Sequence, residues 1–183
     1  MSYKWWILVA VGVFGIGMVL GLVNPIGSAG FLSEDLAALG ELSSFLTSLS
    51  APLTAILIFA KNALALLLSF ALSPLLCLVP VLALVANGWL LTFVAAIVIQ
   101  EESLGFVLAA LVPHGIIELP AFILGEAAAL SFGAMVVLAL VKREKRSQLV
   151  PGLKRNLRYL LIAVVLLIPA AVIETFVTPL LLT

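Results

Sequence analysis

Apolar residues occupy this chain in long runs, and polar residues fall between the runs or stand singly inside them. The first run extends from Trp5 to Val23 and ends at Asn24-Pro25-Ile26-Gly27. A helix needs about 20 mostly apolar residues to cross roughly 30 Å of hydrocarbon, and this run is long enough. The h-region of a secretion signal covers only about 7 to 15 residues and leads to a small-residue cleavage site. No such site follows Val23, so the run reads as a retained anchor helix, with Trp5 and Trp6 where aromatic belts sit.

The pattern then changes. Between residues 31 and 50, Leu32, Leu36, Leu39, Leu42, Leu46 and Leu49 recur every three or four positions, the spacing of a one-sided helix. Ser33 is placed to cap it, and Glu34 and Asp35 complement its dipole. An interfacial helix over 33–50 is expected. Full-length apolar runs resume at 52–73, interrupted by Lys61-Asn62, and at 75–99, which contains Pro80 and Asn87-Gly88. After Gln100-Glu101-Glu102-Ser103 comes an apolar stretch from Leu104 to Val141. At 1.5 Å per residue it would extend roughly 57 Å, well beyond the bilayer core. Proline removes a backbone donor and glycine offers little steric restriction, so a break is expected at Pro113-His114-Gly115 (113–115). A basic segment at 142–158 leads to the last run, 159–178.

The fold class this implies is all-α: a polytopic bundle of about five transmembrane spans with broken helices and one extracytoplasmic interfacial helix. Composition agrees, since 64% of the residues are hydrophobic and 10% charged, against about half and a quarter in soluble domains. Seven of the nine Lys and Arg residues lie between Lys142 and Arg158. Basic loops stay in the cytoplasm. Five crossings then place the N-terminus and the basic loop on the cytoplasmic side of the cell membrane, and the acidic segments and the C-terminus outside. Anionic lipid is the expected partner of the basic loop, and nothing points to nucleic acid. The single cysteine, Cys77, excludes an intrachain disulfide framework. Gly17 and Gly21 form a GxxxG that suits either intramolecular packing or a homodimer.

Ionisable groups within spans are costly and mark functional positions. Here they are Lys61, His114, Glu118, Glu126 and Glu174, with Asn62 and Asn87 as neutral companions. His114 and Glu118, four apart, share a helix face. Counting along the spans puts Glu174 at a comparable depth, so the three together form a ligand set suited to zinc or another divalent metal. The plainer reading is a hydrogen-bonded His and Glu pair that pins the broken helix to its neighbours. Similar depths also suggest a salt bridge between Lys61 and Glu126, the alternative being that Lys61 snorkels to the headgroups.

The run LVPHGIIELPAFILGEAAAL from Leu111 to Leu130, the pairs Lys61-Asn62 and Asn87-Gly88, and the ending AAVIETFVTPLL resemble the stage II sporulation protein M family over roughly residues 50–183. The matching signature positions are Asn62, Asn87, Gly88, Pro113, His114, Gly115, Glu118 and Glu174. Ser69 and Ser73 stand where the family resemblance would put glycines, which weakens the expectation of close packing between the second and third spans. The resemblance implies a membrane component that works with other membrane or envelope proteins, in spore formers with cell-wall-degrading ones. A non-enzymatic scaffold is the leading expectation. The alternatives are an intramembrane metal-dependent hydrolase, with Glu126 as a base beside the metal, and a small-solute transporter.

Overall fold

A computed structural model describes residues 3–23 and 49–182. The expected interfacial helix at 33–50 falls, except for its last two residues, outside the described residues. Five long helices account for the rest: α1 (Tyr3–Val23), α2 (Ala51–Leu72), α3 (Leu78–Glu101), α4 (Leu104–Val141) and α5 (Leu149–Phe176). All five are long and apolar enough to cross a membrane. Short 3₁₀ segments at Arg143–Gln148 and Thr178–Leu181 precede and follow α5.

The bundle is organised around α4, half of whose most apolar stretch is buried while the other helices bury about a quarter of theirs. Its buried face is built from small side chains, and Ala121, Ala127, Ala128 and Ala129 are wholly inaccessible. Small residues let helix backbones approach closely, which matters in lipid because apolar burial there gives little driving force between helices. On one flank, Ala128 and Ala129 pack with Ala63, Leu66 and Phe70 of α2 and Leu160, Ala163 and Leu167 of α5. On the other, Ala127 and Leu130 pack with Ala10 and Phe14 of α1 and Leu84 of α3. The outside carries Leu8, Ile16, Leu64, Leu82, Ile116 and Leu161, all exposed, the surface that acyl chains would cover.

The Gly17-Gly21 face of α1 is filled within the chain. A methyl group on Gly17 would meet the Val85 carbonyl of α3, and one on Gly21 would meet Trp89 and Thr92. Gly88 of α3 reciprocates against Phe14 and Met18. The Thr92 hydroxyl crosses the interface and donates to the Met18 carbonyl at 2.9 Å. Gly133 of α4 likewise sits against the backbone of Ser73 in the α2–α3 connection. That connection is short because Leu76 and Cys77 both adopt left-handed backbone angles, φ 54° and 59°, a conformation that costs a side-chain-bearing residue about 1 kcal/mol or more.

Two boundaries differ from the sequence reading. At 113–115 there is no break: α4 runs without interruption from Leu104 to Val141 with Pro113 and Pro120 inside it. Each proline leaves one carbonyl a turn back without its helical donor, while packing on both flanks supplies tertiary support for a continuous axis. The last helix begins at Leu149, ten residues before the apolar run, because Gly152 and Asn156 turn inward in register with Leu160 and Ala163 while Lys154, Arg155 and Arg158 face out. Much of the basic segment is therefore a helical extension of α5.

Candidate functional site

Three helices meet at the end of the bundle where α4 begins and α5 finishes. His114 and Glu118 lie ten and fourteen residues into α4, roughly 15 and 21 Å along its axis, and Asn62 lies eleven residues into α2, roughly 17 Å. Glu174 comes two residues before the end of α5. The structure brings His114, Glu118 and Glu174 together: one ligand atom from each falls within 4.8 Å of the others, and all three side chains are half-buried.

Each residue on α4 is held from outside the trio. The Asn62 amide donates to Glu118 Oε1 at 3.0 Å. His114 Nδ1 lies 3.4 Å from the hydroxyl of Thr178. That hydroxyl donates to the Ile173 carbonyl, also at 3.4 Å, so its oxygen is left to accept from Nδ1–H. In the neutral tautomer that carries its proton on Nδ1, the imidazole keeps its lone pair on Nε2. Lys61, beside Asn62 in α2, is exposed.

The expected Lys61–Glu126 salt bridge is not made. Glu126 is 1% exposed and accepts a hydrogen bond from the Ser69 hydroxyl at 2.6 Å through Oε2. Its Oε1 has no hydrogen-bond partner among the described residues. Ser69 follows Lys61 by eight residues, roughly 12 Å along α2, which sets the two acidic positions apart. Glu126 is as far from Glu118 along α4, so it is not placed to act as a base at the trio. The Ser69–Glu126 pair was missed from sequence, as was Thr178. The serine in a family glycine position was the available signal for the first.

The remaining signature positions do not join the trio. Asn87 is exposed and donates to the Ala83 carbonyl of its own helix at 2.8 Å. Gly88 serves the α1–α3 contact, and a side chain added at Gly115 would meet open space. A groove of about 530 Å³ elsewhere on the bundle is lined by Ile7, Val11, Leu119, Pro120, Ile123, Leu124 and Leu166, all of them apolar.

Comparison with known proteins gives one family. The model of "Stage II sporulation protein M" matches residues 7–179, so the likeness starts in α1, earlier than the sequence motifs indicated. An uncharacterized protein of Methanocaldococcus jannaschii is 29% identical over 97 residues, which make up 52% of this chain and 54% of that protein. The match thus spans about half the length of that relative. No solved structure matches.

Proposed function

Because the chain belongs to the stage II sporulation protein M family, we propose that it is a multi-pass membrane protein acting as a non-enzymatic scaffold for other membrane or envelope proteins. The observation that supports this reading most is the filled interior. Ala121 and Ala127 to Ala129 of the central helix are wholly inaccessible, and glycines at 17, 21, 88 and 133 are pressed on neighbouring backbones. Interiors packed this way resist deformation, which suits a rigid platform better than the rocking halves of a transporter.

The surfaces offered to partners are the exposed 3₁₀ turn at Arg143–Gln148 and the charged first turns of α5. By the positive-inside rule these face the cytoplasm with Lys4, and the end carrying Glu174 faces outward. Anionic headgroups lie within reach of the same basic residues.

Photo-crosslinkers placed at exposed Arg143 and Gln148 in native membranes test the scaffold. A discrete cross-linked partner, lost when Arg143 and Arg146 are both replaced by Glu, is the expected result. Recovery of the chain alone, together with solute flux or peptide hydrolysis after reconstitution into liposomes, would overturn it. The hydrolase reading keeps one specific support, the His114, Glu118 and Glu174 cluster.

A further inference from the structure

We propose that His114, Glu118 and Glu174 bind one divalent metal ion of the zinc class, with Asn62 and Thr178 as positioning residues that fix the two ligands of α4. The inference is independent of the scaffold reading, because a structural ion and a catalytic ion would use the same three donors.

The donor set is chemically suited. Zinc takes imidazole nitrogen and carboxylate oxygen at about 2.0 to 2.2 Å, and a three-residue site leaves its fourth position for water. Tetrahedral geometry at that radius sets ligand atoms about 3.4 Å apart. The three atoms here lie within 4.8 Å, so closure by on the order of 1.4 Å completes the site. Side-chain torsions of the two glutamates can supply that without moving a helix, since each carboxylate sits at the end of three rotatable bonds.

The outer hydrogen bonds leave a ligand position free on each α4 residue. Asn62 holds Glu118 by Oε1, and Oε2 remains for a metal. Thr178 holds His114 by Nδ1, and Nε2 remains. Ligating histidines in metal sites almost always donate their other ring nitrogen to such a partner. Charge points the same way, for the carboxylates of Glu118 and Glu174 come within 4.8 Å of each other across the α4–α5 contact. Two like charges in a poorly solvated bundle are relieved by a shared proton or by a cation between them, and a dication serves both carboxylates at once. A dication in that gap would tie the end of α5 to α4 and, through Asn62, to α2.

The test uses the full chain in detergent micelles, stripped with chelator and titrated with zinc chloride. The chain has a single histidine, so ring ¹⁵N resonances report this position without ambiguity. A large shift of Nε2 with Nδ1 still protonated, saturating at one zinc per chain, is expected. His114→Ala, Glu118→Gln and Glu174→Gln should each abolish stoichiometric zinc by mass spectrometry, while Glu126→Gln and Lys61→Met retain it. Asn62→Ala and Thr178→Val should weaken zinc about 10 to 100-fold with the unfolding curve of the metal-free protein measured beside them. Ring resonances of the wild-type chain that do not respond to saturating zinc would overturn the proposal whatever the variants do. Stoichiometric zinc that survives loss of the two glutamates would overturn it as well. Neither outcome bears on the cross-linked partner.

Discussion

Replacement of Gly17 by alanine isolates what the α1–α3 contact contributes. The added methyl would lie 2.9 Å from Val85 Cα and on the Val85 carbonyl, whereas unstrained carbon pairs sit about 3.5 to 4.0 Å apart. The helices must therefore separate by roughly 0.6 to 1.1 Å. The same movement stretches the Thr92 to Met18 hydrogen bond from 2.9 Å to roughly 3.5 to 4.0 Å, where it no longer counts as one. Overpacking costs about 1 to 3 kcal/mol, and a hydrogen bond between helices in a membrane about 0.6 kcal/mol. Gly15 offers the control: it lies one half-turn away on the same helix, and a methyl there meets nothing within 4 Å. Both variants gain the same helix propensity, so their difference isolates the contact. Unfolding by sodium dodecyl sulfate in mixed micelles, followed by tryptophan fluorescence in a Trp5→Phe/Trp6→Phe background that leaves Trp89, which stacks on Phe93 at 4.8 Å, should place Gly17→Ala about 1.5 to 3.5 kcal/mol below Gly15→Ala. That corresponds to a folded-to-unfolded ratio lower by about 10 to 300-fold. Equal midpoints for the two variants would show that α1 does not dock on α3 through this face.

Other perturbations follow from particular contacts. Ser69→Ala strips Glu126 of its hydroxyl donor and should lower stability by about 1 to 3 kcal/mol in the same detergent titration, with Ser69→Ala/Glu126→Leu recovering part of the loss; a single variant as stable as wild type would sink the assignment. Tyr3→Phe removes the donation from the Tyr3 hydroxyl to the Leu124 carbonyl at 2.9 Å but keeps the ring stacked on Tyr159 at 3.6 Å, so about 0.5 to 1.5 kcal/mol should be lost, and distinctly less than in Tyr3→Ala. Single cysteines at exposed Ser103 and Ser147, in a Cys77→Ala background, should react with an impermeant maleimide on intact cells at 103 and only after permeabilisation at 147; the reverse pattern would invert the proposed orientation.

The spans were legible because lipid leaves so few options: a long apolar run has to be a helix, and its length sets where it ends. His114 and Glu118 could be placed on one face from their spacing alone, and residue counts along two spans put Glu174 level with them. Depth does not fix the direction a side chain faces, however. Lys61 and Glu126 looked matched by the same count, yet Glu126 points at Ser69. Thr178 was hidden because its position depends on the 3₁₀ turn after α5, which no apolar periodicity signals. Pro113 misled for a different reason. A proline removes one hydrogen bond locally, whereas continuity of the 38-residue helix is decided by the packing of four neighbours around it.

The placement of α1 beside α3 rather than beside its sequence neighbour α2 bears on biogenesis. A ribosome delivers α1 before α3, yet the groove α1 fits is formed by that later segment, which emerges more than fifty residues on. This span must therefore wait in the bilayer with its glycine stripe against lipid while α2 and α3 are threaded, and α4 packs on them before α5 completes the bundle. Order of synthesis and order of docking run differently in this protein, so a stalled or truncated chain ending before Val85 would leave α1 unmated and open to capture by quality control.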